Sequence, residues 1–154
     1  MSQTVINGSL TVELPANFRV MDAEELENLF RNTESNRWCA TNEDKTILLT
    51  VVWQQMNRVV LMMADMKAMA VRNEMKTREA YRDHGYEREE MLSVASGKGK
   101  LEGYRYAFDS KKGRMKVETM LLKQKSFVYS LSIATSKDNT EAGRELFHSI
   151  LEEL

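Results

Sequence analysis

Phe127-Val128-Tyr129-Ser130-Leu131-Ser132-Ile133-Ala134 alternates large apolar side chains with small ones. A period of two puts Phe127, Tyr129, Leu131 and Ile133 on one face of a strand and Val128, Ser130, Ser132 and Ala134 on the other. The first face demands a core, and the second is small enough for a helix to pack closely, so a sheet covered on both sides is expected. The same period recurs upstream. Tyr104, Tyr106 and Phe108 alternate with Arg105 and Asp109; Met115, Val117, Thr119 and Leu121 alternate with Lys116, Glu118, Met120 and Leu122; a weaker run spans Met91 to Ala95. Gly97-Lys98-Gly99-Lys100, residues 109–114 and Gln124-Lys125-Ser126 have the glycine and polar content of hairpin turns. The reading is a four-stranded antiparallel meander. A helix over 138–154 follows, with Asp138 and Glu141 as its capping box and Ala142, Leu146, Phe147, Ile150, Leu151 and Leu154 as its apolar stripe.

The first half of the chain supplies the rest of the sheet. Leu10, Val12 and Leu14 alternate before Pro15 ends the strand. Asp22 and Glu25 form a capping box, with Met21 and Leu26 as a hydrophobic staple, at the start of a helix that buries Leu26, Leu29 and Phe30 and ends within 32–36. Arg37 to Thr41 reads as a strand and 42–45 as a turn. Thr46 to Trp53 is nearly continuously apolar, which predicts a central strand buried on both faces. The spacing of Met62, Met66, Met69, Ala70, Asn73, Thr77 and Ala80 predicts one long helix over 59–84, with Gly85 as its left-handed C-terminal cap.

Composition sets the class. The 154 residues suffice for a single domain, 1–154, that buries roughly 70% of its unfolded surface without metal or disulfide support. Cys39 is the only cysteine, so no intramolecular disulfide forms, which suits a reducing compartment. The first residues lack the basic and apolar regions of a secretory signal, and no apolar run is long enough to span a bilayer; the expectation is a cytoplasmic protein without membrane insertion. Most of the eleven methionines sit in periodic apolar segments, where they serve as adaptable packing.

The order of elements, strand, helix, two strands, long helix, meander, helix, resembles the PsbP-like fold of the photosystem extrinsic subunit, a Ran-binding nuclear import factor and several bacterial proteins. The likeness rests on Leu10-Thr11-Val12-Glu13-Leu14-Pro15-Ala16-Asn17-Phe18, similar to that family's opening strand and turn. It rests also on Phe127 to Ala134 followed by a helix carrying Phe147 and Ile150. The resemblance implies an α+β domain, mainly antiparallel, with about six to seven strands flanked by helices as an α/β/α sandwich. It implies a binding or accessory role, and it transfers no catalytic residue.

Residue chemistry gives no catalytic constellation to set against that role. His84 and His148 are far apart and lack metal-ligand spacing, so neither metal nor cofactor is expected. Cys39, beside Trp38 in a strand, has no neighbouring histidine to activate it and reads as a buried structural residue. Glu87, Glu89 and Glu90 read as a solvated face at a strand entry. Gly97-Lys98-Gly99-Lys100 lacks the strand-to-helix setting of a phosphate loop. An enzymatic alternative would have to assemble sequence-distant groups such as Tyr104, Glu102 and His84 at a cleft.

Charge is the more directional signal. Residues 97–125 hold nine Lys and Arg against three Asp and Glu, a balance of +6, whereas residues 1–45 hold four against eight, a balance of −4. In a meander the first and third turns share one end of the sheet, which brings Lys98 and Lys100 towards Lys123 and Lys125 and sends Lys111, Lys112 and Arg114 to the other end. The first cluster is the candidate partner-binding site, suited to an acidic protein surface. Nucleic acid is disfavoured, because the net charge is −1 and no aromatics interleave with the lysines. The expected protein is a non-enzymatic binding or adaptor domain, with self-association as a further alternative.

Overall fold

A computed structural model describes residues 2–29, 36–97, 99–136 and 138–154. The elements in chain order are β1 (Ser2–Ile6), β2 (Leu10–Leu14), β3 (Phe18–Val20), α1 (Ala23–Leu29), β4 (Arg37–Asn42), β5 (Ile47–Gln55), α2 (Arg58–Met62), α3 (Met66–Ala80), β6 (Glu87–Ser96), β7 (Gly99–Ser110), β8 (Gly113–Gln124), β9 (Phe127–Ser136) and α4 (Thr140–Glu153). Seven strands form one antiparallel sheet in the order β3-β4-β5-β9-β8-β7-β6, and β1 and β2 form a separate hairpin. The α+β architecture with helices on both faces is the expected one.

The meander forms as the alternation predicts, with strands longer than the apolar runs alone. Its turns are tight: Ser110 pairs with Gly113 and Gln124 with Phe127. Lys125, the first residue of the second turn, has φ +57°, in the left-handed region that such turns use, and Gly113 has φ +102° where β8 leaves the first. Gly103 is required for a different reason. A Cβ built there would lie 1.9 Å from the Thr119 carbonyl oxygen, so β7 and β8 approach too closely for any side chain at that position.

Two layers of side chains hold the sheet. On one face Leu49, Val51, Met120, Tyr129, Leu131 and Ile133 pack against Phe147, Ile150 and Leu151 of α4, all of them buried. The β1–β2 hairpin completes this layer with Ile6, Leu10, Val12 and Leu14. It is tethered by Asn7 Nδ2, which donates to the Tyr129 hydroxyl at 3.1 Å, and by Ser9 Oγ, 2.5 Å from the same oxygen. On the other face α3 covers β7 and β8, where Tyr104, Tyr106 and Val117 are buried under Tyr81 and Tyr86. Tyr81 stacks on Phe108 at 4.2 Å and Tyr86 on Tyr106 at 5.4 Å.

Several expectations need correction. The middle strand is β9, not β5, because the last strand returns from the meander to pair with β5 and thereby joins both halves. Nor is β5 buried on both faces: Ile47, Leu49 and Val51 face the α4 core, but Val52, opposite them, is 38% exposed, since α3 stops short of it. The long helix is two helices, α2 and α3. Asp65 breaks it by accepting hydrogen bonds from the Lys67 and Ala68 amides at 3.0 and 3.4 Å, which makes it the N-cap of a new helix. The α3 helix ends at Ala80, so Gly85, although left-handed at φ +65°, sits four residues past the C-cap Tyr81. In α1 the capping box forms: Glu25 N donates to Asp22 Oδ1 at 2.9 Å and Asp22 N to Glu25 Oε1 at 3.3 Å. Its apolar stripe does not: Leu29 is 46% exposed, because this short helix stands beside the edge strand β3, while Phe30 and residues 32–35 lie outside the described residues. In α4 the Asp138–Glu141 box is replaced by Asn139 at the cap, and Asn139 Nδ2 reaches across to Thr46 Oγ1.

Candidate binding surface

Five residues make α2, too few for a helix to persist on propensity. Three contacts fix it. Asn57 Oδ1 accepts from the Val59 and Val60 amides at 2.9 and 3.4 Å, Leu61 is buried, and Lys123 Nζ donates to the carbonyl oxygens of Leu61 at 3.0 Å and Ala64 at 3.4 Å. With Leu61 turned inward, the remaining apolar side chains must face water. Val59 and Val60 are exposed, and Met62 and Met63 are 76% and 83% exposed. Four large apolar side chains within five consecutive positions form a knuckle at the junction of α2 and α3. Burying a side chain of this size is worth about 1.5–3 kcal/mol, a free energy that is left uncollected here.

The surroundings are cationic. Arg58 precedes the knuckle, Lys67 follows it, and Arg72 and Lys76 stand further along α3. None of the four has an acidic partner among the described residues. Arg72 and Lys76 also line a groove of about 220 Å³ whose floor is Val52, Leu121, Val128 and Ser130. Val128 and Ser130 of β9 thus floor a groove beside α3, while Ala134 of the same face packs against the tyrosine layer. Met56, whose amide donates to the Ser126 carbonyl at 2.8 Å, joins groove, knuckle and the β8–β9 turn into one end of the molecule.

The lysines singled out in the sequence meet this end in different ways. Lys123 shares its face of the sheet with Val128 and Gln54 through the strand register, and its ammonium is occupied by the carbonyls of Leu61 in α2 and Ala64 just beyond it. Lys125 is exposed on the adjacent turn. Lys100 is exposed on β7 and pairs loosely with Glu102 at 3.8 Å. Lys98 lies outside the described residues. Lys111, Lys112 and Arg114 stand at the opposite end, where Arg114 donates to the Gly85 carbonyl and to Asp109.

The groups considered for catalysis are dispersed. Tyr104 is buried, its hydroxyl donating to Asn73 Oδ1 at 2.5 Å and lying 2.8 Å from Thr77 Oγ1; burial pushes its pKa up to about 12. Glu102 of β7 accepts from Ser93 Oγ of the neighbouring β6 at 3.0 Å, and His84 lies in the turn after α3 against Tyr81. Cys39 is buried beside Thr50, and burial pushes the thiol pKa up. A β-bulge between Arg88 and Glu90 sets Glu89 outside the ladder, where it pairs with Lys116 at 2.8 Å and Arg144 at 3.4 Å. Glu90 pairs with Arg105, which also binds the buried Glu118 at 2.6 Å; His148 Nε2 lies 3.5 Å from Glu118. Among the described residues no three His, Cys, Asp or Glu side chains converge as a metal site would require. None of the described helices is long and apolar enough to cross a membrane.

The knuckle escaped the sequence reading, although Asn57 and Asp65 carried the signal. Two good N-cap residues eight apart within one apolar-periodic stretch announce two helices.

No protein-family model matches the chain, and no curated protein matches it. Solved structures do. The solution structure of cyanobacterial PsbP (CyanoP) from Synechocystis sp. PCC 6803 superposes with a TM-score of 0.65 at 8% identity, over 91% of this chain and 82% of that one. LpqN, involved in cell envelope biogenesis of Mycobacterium tuberculosis, gives 0.55 at 11% identity, over 93% and 79%. The Pseudomonas aeruginosa protein PA94 gives 0.52 at 8% identity, over 100% and 95%. Superposition over more than nine-tenths of this chain at such low identity establishes that it has the PsbP-like fold.

Proposed function

We propose that this domain is a non-enzymatic binding module that docks an acidic protein surface on the α2–α3 knuckle. The observation that carries the reading is the coincidence of exposed Val59, Val60, Met62 and Met63 with the unpaired Arg58 and Lys67 on either side of them. Apolar anchors supply affinity at the centre of an interface, while surrounding cations steer an acidic partner and set register. Methionines suit this use because their flexible thioethers adapt to the facing surface. Lys125 and Lys100 extend the cationic rim, and Lys123 acts indirectly by holding α2 in place.

The test is photo-crosslinking in the source cell with a reactive residue at Val60, repeated in M62S/M63S, in R58E/K67E and in the remote control K111E/K112E. One acidic protein crosslinked by the wild type and by the control, and lost in both knuckle variants, is the expected result. The same proteins captured by all four forms would overturn the reading. A crosslink from one copy of the chain to another, with light scattering showing a dimer, would transfer the knuckle to self-association.

A further inference from the structure

The last turn of α3 carries a second site at the other end of that helix. Glu74 is only 2% exposed, yet it takes four hydrogen bonds. Tyr86 Oη donates to its Oε2 at 3.1 Å and Arg78 Nε to the same oxygen at 3.2 Å, while Arg78 Nη2 and Arg88 Nη1, the latter at 3.3 Å, converge on Oε1. One buried carboxylate is neutralised by one guanidinium; here it receives two. Arg82 joins them one turn beyond Arg78, pairing at 3.0 Å with the exposed Glu79. Three arginines stand against two glutamates, a balance of +1. Together with Tyr86, those three arginines form the whole lining of an open recess of about 400 Å³.

We propose that this recess binds a phosphate group, either free or carried by a small ester. Three features favour such a ligand over general cationic character. First, Arg78 and Arg88 are pinned from beneath by Glu74, so much of the side-chain entropy that anion binding usually costs is already spent in folding. Second, Arg78 gives two and Arg88 one of its five N–H donors to Glu74, which leaves donors on both forks for oxygens outside. Planar guanidinium forks match tetrahedral oxyanions bidentately, which a lysine patch does not. Third, Tyr86 spends its proton on Glu74 and turns a phenolic oxygen and ring into one wall, so the recess has a fixed shape rather than only a charge. The binding reads only the anion; no bond is made or broken.

The test follows the arginine Nε–Hε signals by NMR as the full chain is titrated with inorganic phosphate or with glucose 6-phosphate, against sodium chloride at matched ionic strength. Saturable shifts confined to Arg78, Arg82 and Arg88 are expected, with affinity falling about tenfold in R82A and in R88Q. R82A removes only an exposed pair, and Gln at 88 keeps a donor for Glu74, so both variants are expected to stay folded; should R88Q loosen β6, R82A decides alone. Tighter binding of the ester assigns the site to phosphate esters, and equal or weaker binding assigns it to the free ion. Shifts that chloride reproduces, or an affinity unchanged in R82A, would overturn the proposal. The knuckle variant R58E/K67E serves as a control that leaves phosphate binding intact, which keeps the two sites experimentally separate.

Discussion

Lys123 near the end of β8 holds Leu61 of α2 by its backbone: the Nζ donates to the Leu61 carbonyl oxygen at 3.0 Å, across 62 positions of sequence. The cation occupies carbonyls that a continuing helix would have used and so fixes both the place where α2 ends and the angle at which the knuckle stands.

Replacing Lys123 by Met keeps the aliphatic stem and deletes both hydrogen bonds. Loss of charge-assisted bonds of this kind costs about 1–3 kcal/mol. Urea denaturation of K123M should show that loss, and amide exchange should accelerate within 58–66 far more than in β8. Unchanged exchange in α2 would mean that the Asn57 cap and Leu61 burial hold the helix without Lys123.

Gly103→Ala should be among the most damaging single-methyl changes in the chain. The added Cβ would meet the Thr119 carbonyl oxygen at 1.9 Å and Met120 Sδ at 2.6 Å, and a backbone atom within a ladder cannot step aside. Overpacking of this kind costs about 3 kcal/mol, readable as a lower urea midpoint or as failure to fold.

Glu25 makes acid stability specific to one helix start. Hydrogen bonding to Arg19, and then to the Asp22 amide, lowers its pKa from 4.5 to about 2. A carboxylate with a depressed folded pKa contributes stability above its unfolded value, and that contribution disappears as pH falls from about 4.5 towards 2. Wild type should therefore lose its stability margin over E25Q across this window and match it at the bottom. A constant difference between the two proteins from pH 6 to 2.5 would refute the assignment.

The tyrosine layer under α3 predicts the opposite limb of the pH profile. Burial pushes Tyr104 up to about 12 and drives Tyr86 and Tyr106 higher still. These phenols stay protonated in the folded chain and ionise near 10 once unfolded, so stability falls as pH rises above 10. Absorbance at alkaline pH should show phenolate from these three appearing together with loss of the fold. In Y104F the hydrogen bonds to Asn73 and Thr77 are lost, at about 1 kcal/mol.

The meander was legible because its strands bury one face, and a half-buried strand writes its period into the sequence, as Phe127 to Ala134 does. The α2–α3 break was hidden by the apolar spacing from Met62 to Ala80, which carries straight through a junction made by Asp65. The β1 strand was hidden for the opposite reason: only Ile6 of it is buried, so Ser2-Gln3-Thr4 shows no apolar face, although Asn7-Gly8 marks its turn. Charge polarity drew attention to the end of the sheet where Lys123 and Lys125 stand. It could not tell the lysine that braces a helix from those that face water, since that distinction rests on contacts made far away in sequence. Arg78 and Arg88 likewise converge only because a turn folds β6 back along α3 towards Glu74.

The position of β9 between β5 and β8 sets the order in which the chain acquires order during synthesis. Every strand of the first half, from β3 to β5, leaves one side of β5 without a hydrogen-bonding partner until Phe127–Ser136 has emerged from the ribosome. The apolar run Ile47–Trp53 is thus an open edge for some eighty residues of translation, and it closes only when the last strand, β9, inserts beside it. Truncation anywhere before Ser136 should release not a smaller folded unit but an adhesive one, with β5 as the strand through which nascent copies join.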